Sequence, residues 1–120
     1  MKLPGPDHPI TITPASGRVV VRFHDTVVAD TQNALELKEA TYPVVLYIPR
    51  ADAKLDHYAR TDHQSHCPYK GDASYFSLDA GGQRAENVVW TYETPFPAMV
   101  AIKDHVAFYP NQVTIEREPA

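Results

Sequence analysis

The hexapeptide His66-Cys67-Pro68-Tyr69-Lys70-Gly71 gathers an imidazole, a thiol, a phenol and an ammonium into one short stretch. Pro68 fixes its own φ and pushes Cys67 toward extended backbone, while Gly71 lets the chain turn. The stretch therefore presents Cys67, Tyr69 and Lys70 stiffly, which a reactive site needs and a structural corner needs equally. Three chemistries are open to it. In the first, positive charge from Lys70 and His66 favours a thiolate at Cys67, so that Cys67 or Lys70 is the reactive group and His66 moves the proton. Against this stands the usual behaviour of an unpaired cysteine, which is that of a small buried hydrophobe.

The second chemistry is metal binding. His63, His66 and Cys67 offer imidazole and thiolate ligands to zinc, with His57 or Asp62 as a fourth. The spacing His-x-x-His-Cys matches no standard structural zinc pattern, so solvated histidines and no metal are the expectation. The third is a binding pocket. Arg50 leaves the end of a strand into a long polar stretch and Lys70 ends that stretch. If both face one cleft, with Cys67 and Tyr69 as its floor and Trp90 and Tyr92 as its walls, the cleft suits a small polar or anionic molecule. The structural alternative pairs Arg50 with Asp52 or Glu93 and buries Trp90, Tyr47 and Tyr75 in the core. A small-molecule binding module is the reading the residue types favour, with an enzyme using Cys67 or Lys70 as the alternative. No cofactor is implied.

The elements that must hold these residues read as short strands. Four prolines in residues 1–17 forbid a helix or a central strand, so this segment is expected to be an extended arm. Arg18–His24 is dense in valine, and Val27–Ala29 follows across Asp25-Thr26 as the second half of a hairpin. Asn33 is placed to cap a short helical turn over Ala34–Glu39. Val44–Ile48 is a strand bounded by Pro43 and Pro49. From Arg50 to Lys70 polar residues dominate and a long loop is expected, with one helical turn near Asp52–Leu55; loops of that length in a compact domain are usually functional. Ser74–Leu78 and Glu86–Tyr92 are strands joined through Asp79-Ala80-Gly81-Gly82, whose glycines supply positive φ. Met99–Ile102 is compatible with a helical turn, and Val106–Tyr109 and Val113–Glu116 with strands. The sum is a mainly β domain of small curled antiparallel sheets with one or two short helical turns, spanning residues 18–118 behind the arm.

Composition narrows the function classes. A chain of 120 residues with a net charge of −4 and scattered basic residues lacks the clustered positive charge that nucleic acid requires. No run approaches the ~18 apolar residues of a spanning helix, so no membrane partner is expected. The opening residues carry no apolar targeting segment, and the single cysteine, Cys67, cannot form an internal disulfide; both point to the cytoplasm. The N-terminal arm leaves a homodimer open, by swapping or docking onto a second copy.

Tyr42-Pro43 before the strand ending Pro49-Arg50, then His66-Cys67-Pro68-Tyr69-Lys70-Gly71-Asp72-Ala73-Ser74-Tyr75, then Val89-Trp90-Thr91-Tyr92 and Ala107-Phe108-Tyr109, resemble the domain of unknown function 427 family. The likeness runs from about Val19 to Ile115, and its Cys-Pro-Tyr-Lys-Gly core is specific. It implies a small, mainly β fold similar to the β-tent domains of the Mss4 type, and no established activity. β-tent domains often hold zinc through two Cys-x-x-Cys pairs, which one cysteine cannot rebuild. The family sometimes carries a nucleotidyltransferase-like label. Nucleotidyl transfer calls for metal-held phosphates, paired carboxylates and a glycine-rich loop. The chain has no Gly-x-x-x-x-Gly-Lys and no Asp-x-Asp, and its one Glu-x-Glu, Glu116 and Glu118, falls in the C-terminal stretch.

Overall fold

The computed structural model describes residues 1–119, and among these β-branched and aromatic residues set out ten strands. They are β1 (Ile10–Pro14), β2 (Arg18–Phe23), β3 (Thr26–Thr31), β4 (Leu35–Glu39), β5 (Val45–Pro49), β6 (Tyr58–Cys67), β7 (Gly71–Ala80), β8 (Gln83–Thr91), β9 (His105–Phe108) and β10 (Thr114–Glu118). Seven form one sheet in the order β1-β4-β5-β9-β8-β7-β6, and three form a second in the order β10-β2-β3. Every pairing is antiparallel. Short 3₁₀ turns at Arg50–Asp52, Leu55–His57 and Pro97–Ile102 complete the described elements. None of these helices is long and apolar enough to cross a membrane.

The two sheets pack face to face. Ile48, Phe76, Leu78, Val89, Val106 and Phe108 of the large sheet meet Val19, Val21, Phe23 and Val28 of the small one. Alternation along the strands sends Leu37, Tyr47, Tyr75, Tyr92 and Ala107 to the opposite face, where Met99 and Ile102 cover them. Around this second cluster the large sheet curls, and its two edges approach one another. Lys2 N donates to Pro68 O at 2.8 Å, and Lys70 from the β6–β7 turn meets Glu39 at the end of β4.

The mainly β expectation holds, and three local expectations differ in instructive ways. Ile10-Thr11-Ile12-Thr13 alternates, and within the N-terminal arm it becomes β1, paired with β4 from Ile10↔Glu39 to Pro14↔Leu35. Residues 34–39 are not a helical turn. Leu35 and Leu37 recur with period two and place both apolar side chains in the second cluster, which outweighs the helical propensity of Glu and Lys. Asn33 serves no helix; its backbone N–H donates to Thr31 Oγ1 at 2.9 Å. The expected loop from Arg50 to Lys70 is two 3₁₀ turns followed by the ten-residue strand β6. Strand β6 forms one edge of the sheet, so its outward residues Asp62, His63, Gln64 and His66 meet solvent and its composition mimics a loop.

Candidate functional site

Strands β6 and β7 meet through the turn Pro68-Tyr69-Lys70, closed by the pair Cys67↔Gly71. Gly71 sits at φ +112, a conformation L side chains rarely adopt, so glycine is required there. The turn is bonded on both flanks: Pro68 O accepts from Lys2 N, and Lys70 O accepts from Phe96 N at 2.9 Å. Sequence alone identified this corner as rigid, and these bonds account for the rigidity.

Lys70 turns inward from the corner and keeps only 10% of its side chain exposed. Its Nζ donates to Glu39 Oε1 at 2.5 Å and lies 3.9 Å from Cys67 Sγ. The other Glu39 oxygen bonds His8 Nε2 at 2.8 Å, and the His8 ring stacks on Tyr69 at 4.2 Å with planes 7° apart. Burial pushes the Glu39 carboxyl up, but its bonds with Lys70 and His8 outweigh that and hold it below the usual carboxylate range. Behind this cluster Trp90 Nε1 donates to Tyr47 OH at 3.2 Å, and Tyr75 OH bonds Ser65 Oγ at 2.9 Å. Burial lifts the Tyr47 and Tyr92 hydroxyls well above their ordinary range, so both stay neutral phenols.

Of the residues singled out from sequence, Cys67, Tyr69 and Lys70 thus come together, with the half-buried Trp90 and the buried Tyr92 in the apolar cluster on the same side of the sheet. Arg50 does not join them. Its guanidinium donates to Glu93 Oε2 at 3.2 Å and Thr91 Oγ1 at 3.0 Å and lies 5.7 Å from the Phe76 ring. Phe76 and Tyr75 are strand neighbours on opposite faces, so Arg50 and Lys70 are separated by the sheet. His66 also turns away, because it alternates with Cys67 along β6. Its Nδ1 bonds Asp72 Oδ1 at 2.7 Å with 59% of the side chain exposed. His63 packs edge-on against Tyr75 at 4.5 Å. The imidazole that joins the cluster is His8, and the carboxylate is Glu39; sequence reasoning missed both. The alternation at Ile10–Thr13 was a signal for β1, yet nothing local says that its flank lands on the corner.

The family model for a domain of unknown function (DUF427) matches residues 11–119. The chain belongs to the DUF427 family. No curated protein matches the chain. The matched span of the DUF427 domain holds Glu39, Cys67, Tyr69, Lys70, Trp90 and Tyr92, whereas His8 lies just ahead of it. Chemically, the cluster in this DUF427 domain is balanced. Lys70 is neutralised by Glu39, while outside the cluster, across the sheet, Arg50 and Arg60 share the one carboxylate of Glu93. What remains on offer at the corner is an ammonium and a thiol as donors, a carboxylate as acceptor, and the flat His8–Tyr69 stack.

Proposed function

We propose that this DUF427 domain binds a small polar molecule at the seam where Cys67, Tyr69 and Lys70 meet His8 and Glu39, with Trp90 and Tyr92 as the wall behind. The observation that carries this reading is the Lys70–Glu39 pair, largely withdrawn from water beside a thiol. Two facing apolar side chains would close the same seam at least as well, because desolvating two charges offsets most of their attraction. Retaining a buried ion pair there is therefore evidence for a task other than closure. The pairing also selects the ligand. A bare anion must displace Glu39 to reach Lys70, whereas a molecule with both an acceptor and a donor can bridge the pair as it stands.

The test is titration of isotopically labelled protein with acetamide, glycine and acetate, read from backbone amide shifts. The bridging probes, acetamide and glycine, should shift Tyr69, Lys70, Gly71 and Glu39 saturably at millimolar concentration, the ~4 kcal/mol expected of fragments. Acetate should shift them less. No saturable change at these amides, or an undiminished change in Lys70→Met, removes the reading.

A second reading is favoured by one contact, the 3.9 Å between Lys70 Nζ and Cys67 Sγ. It makes Cys67 a reactive thiol, with the Lys70 ammonium beside it and His8, which shares Glu39 with Lys70, in place of the outward-turned His66. Folded protein should then react with iodoacetamide at pH 6 faster than free cysteine does. A thiol that stays inert until denaturation ends this alternative, including the transferase the family label suggests.

A further inference from the structure

Strands β5 and β9 pair at only two positions, Ile48↔Val106 and Pro49↔His105. Carried on, that register would set Leu46 against Phe108 and Val44 against Pro110. Instead the strands part, and these four residues line a cavity of about 300 Å³ together with Trp90 and Ile115. Pro110 has no N–H with which to resume the ladder opposite Val44. The opening is also propped. Trp90 is tied to Tyr47 OH through its Nε1 and rests on the Tyr109 ring at 4.8 Å between centroids, so the indole cannot swing in to fill the gap.

We infer that this cleft between β5 and β9, which shares only Trp90 with the seam, is a second ligand site that takes a neutral planar molecule of about two fused rings. No lining side chain is charged, and apart from the Tyr42 hydroxyl and the Trp90 indole N–H they are apolar, so a charged ligand would lose its hydration with no counter-charge to replace it. An apolar cavity of ~150 Å³ accepts one benzene ring, and the cleft has about twice that space. Size also argues against a protein strand as occupant. Ahead of Ile48 the parted stretch is only Val44 to Tyr47, near the bottom of the range for a paired strand. Beyond Ile48 and Val106 the facing edges of β5 and β9 have no ladder partners, which leaves backbone groups to receive one hydroxyl or carbonyl on the ring.

The probe is 2-naphthol, added to the full chain and followed by amide shifts and by the indole N–H signal of Trp90, the only tryptophan. Saturable shifts confined to residues 44–46, 107–109 and the Trp90 indole are expected, with naphthalene-2-sulfonate weaker by about tenfold or more. Val44 is 46% exposed, so Val44→Trp fills the mouth without disturbing the core and should weaken 2-naphthol by a similar factor. Val100→Trp, at a position 64% exposed on the Pro97–Ile102 turn, should leave it unchanged. Shifts that map elsewhere or never saturate overturn the inference. So does equal binding of the sulfonate, or a Val44→Trp protein that binds like wild type.

Discussion

Replacing Lys70 by Met should destabilise the protein markedly, and replacing Glu39 by Leu in the same chain should return most of the loss. Lys70 is 10% and Glu39 16% exposed at the side chain, with 2.5 Å between Nζ and Oε1. Removing one member of a buried pair typically costs ~3–5 kcal/mol, because the other charge is left desolvated. Here Glu39 keeps His8 at 2.8 Å and some contact with water, which lowers the expectation to ~2–3 kcal/mol. For a chain of 120 residues that is a fall in Tm of roughly 10 °C. The double variant Lys70→Met/Glu39→Leu replaces both charges by apolar groups and should lie within ~1 kcal/mol of wild type. Thermal and urea unfolding of the four proteins in the cycle, at neutral pH, gives the coupling energy directly. Additive single effects, or a Lys70→Met protein as stable as wild type, would refute the claim that the two charges are buried against each other.

Acid should destabilise the fold as pH falls below about 4.5. Glu39, Asp30 and Glu93 are all held below the ordinary carboxylate range, Asp30 by its bond with Arg18 and Glu93 chiefly by its bond with Arg60, each against the opposing effect of burial. A lowered carboxyl contributes stability that is complete above its unfolded value and lost as pH drops through its folded one, so melts at pH 7, 4 and 3 should fall in that order, and less steeply in Glu39→Gln. Gly71→Ala forces a side chain onto φ +112, and urea unfolding should show a loss of ~1–3 kcal/mol. Arg50→Ala removes the bonds to Glu93 and Thr91 and the contact with Phe76. It should lower stability by ~1–2 kcal/mol in the same assay, while leaving the amide shifts of the corner, across the sheet, unchanged.

The strands that were legible in the sequence are those whose local pattern is decided by packing. Val19, Val21 and Phe23 alternate into the core between the sheets, and Gly81 and Gly82, at φ +60 and +77, mark the β7–β8 hairpin. Strands β4 and β6 were illegible for opposite reasons. Strand β4 is built from residues that favour helices and is held extended by β1 on one side and β5 on the other. Strand β6 has one free side, so its composition answers to water more than to the core. The corner was legible because Pro68 and Gly71 act on their own neighbours. Its partners were not: Glu39 and His8 reach it only because the sheet curls until its edges meet, and curl is a property of seven strands together. The same global fact separates Arg50 from Lys70, whose shared cleft was inferred from their places at the two ends of one expected loop and from the family pattern that includes both.

Because the corner closes the sheet and also carries the polar groups, occupancy and stability at the seam must be linked. A molecule that bridges Lys70 and Glu39 binds only while the β1–β4 edge and the β6–β7 turn are together, so it must stabilise the fold. At about a hundred times its dissociation constant the gain is ~2.7 kcal/mol, again near 10 °C in Tm. A simple anion must take Lys70 from Glu39 and leave the carboxylate only His8, so it binds more weakly and at the same concentration should raise Tm less. Melting curves with glycine and with acetate at equal concentration and matched ionic strength therefore separate the two modes by the size of the rise. A rise with both, of equal size, would mean that Glu39 does not compete for Lys70, and the geometry at 2.5 Å would then not govern the site.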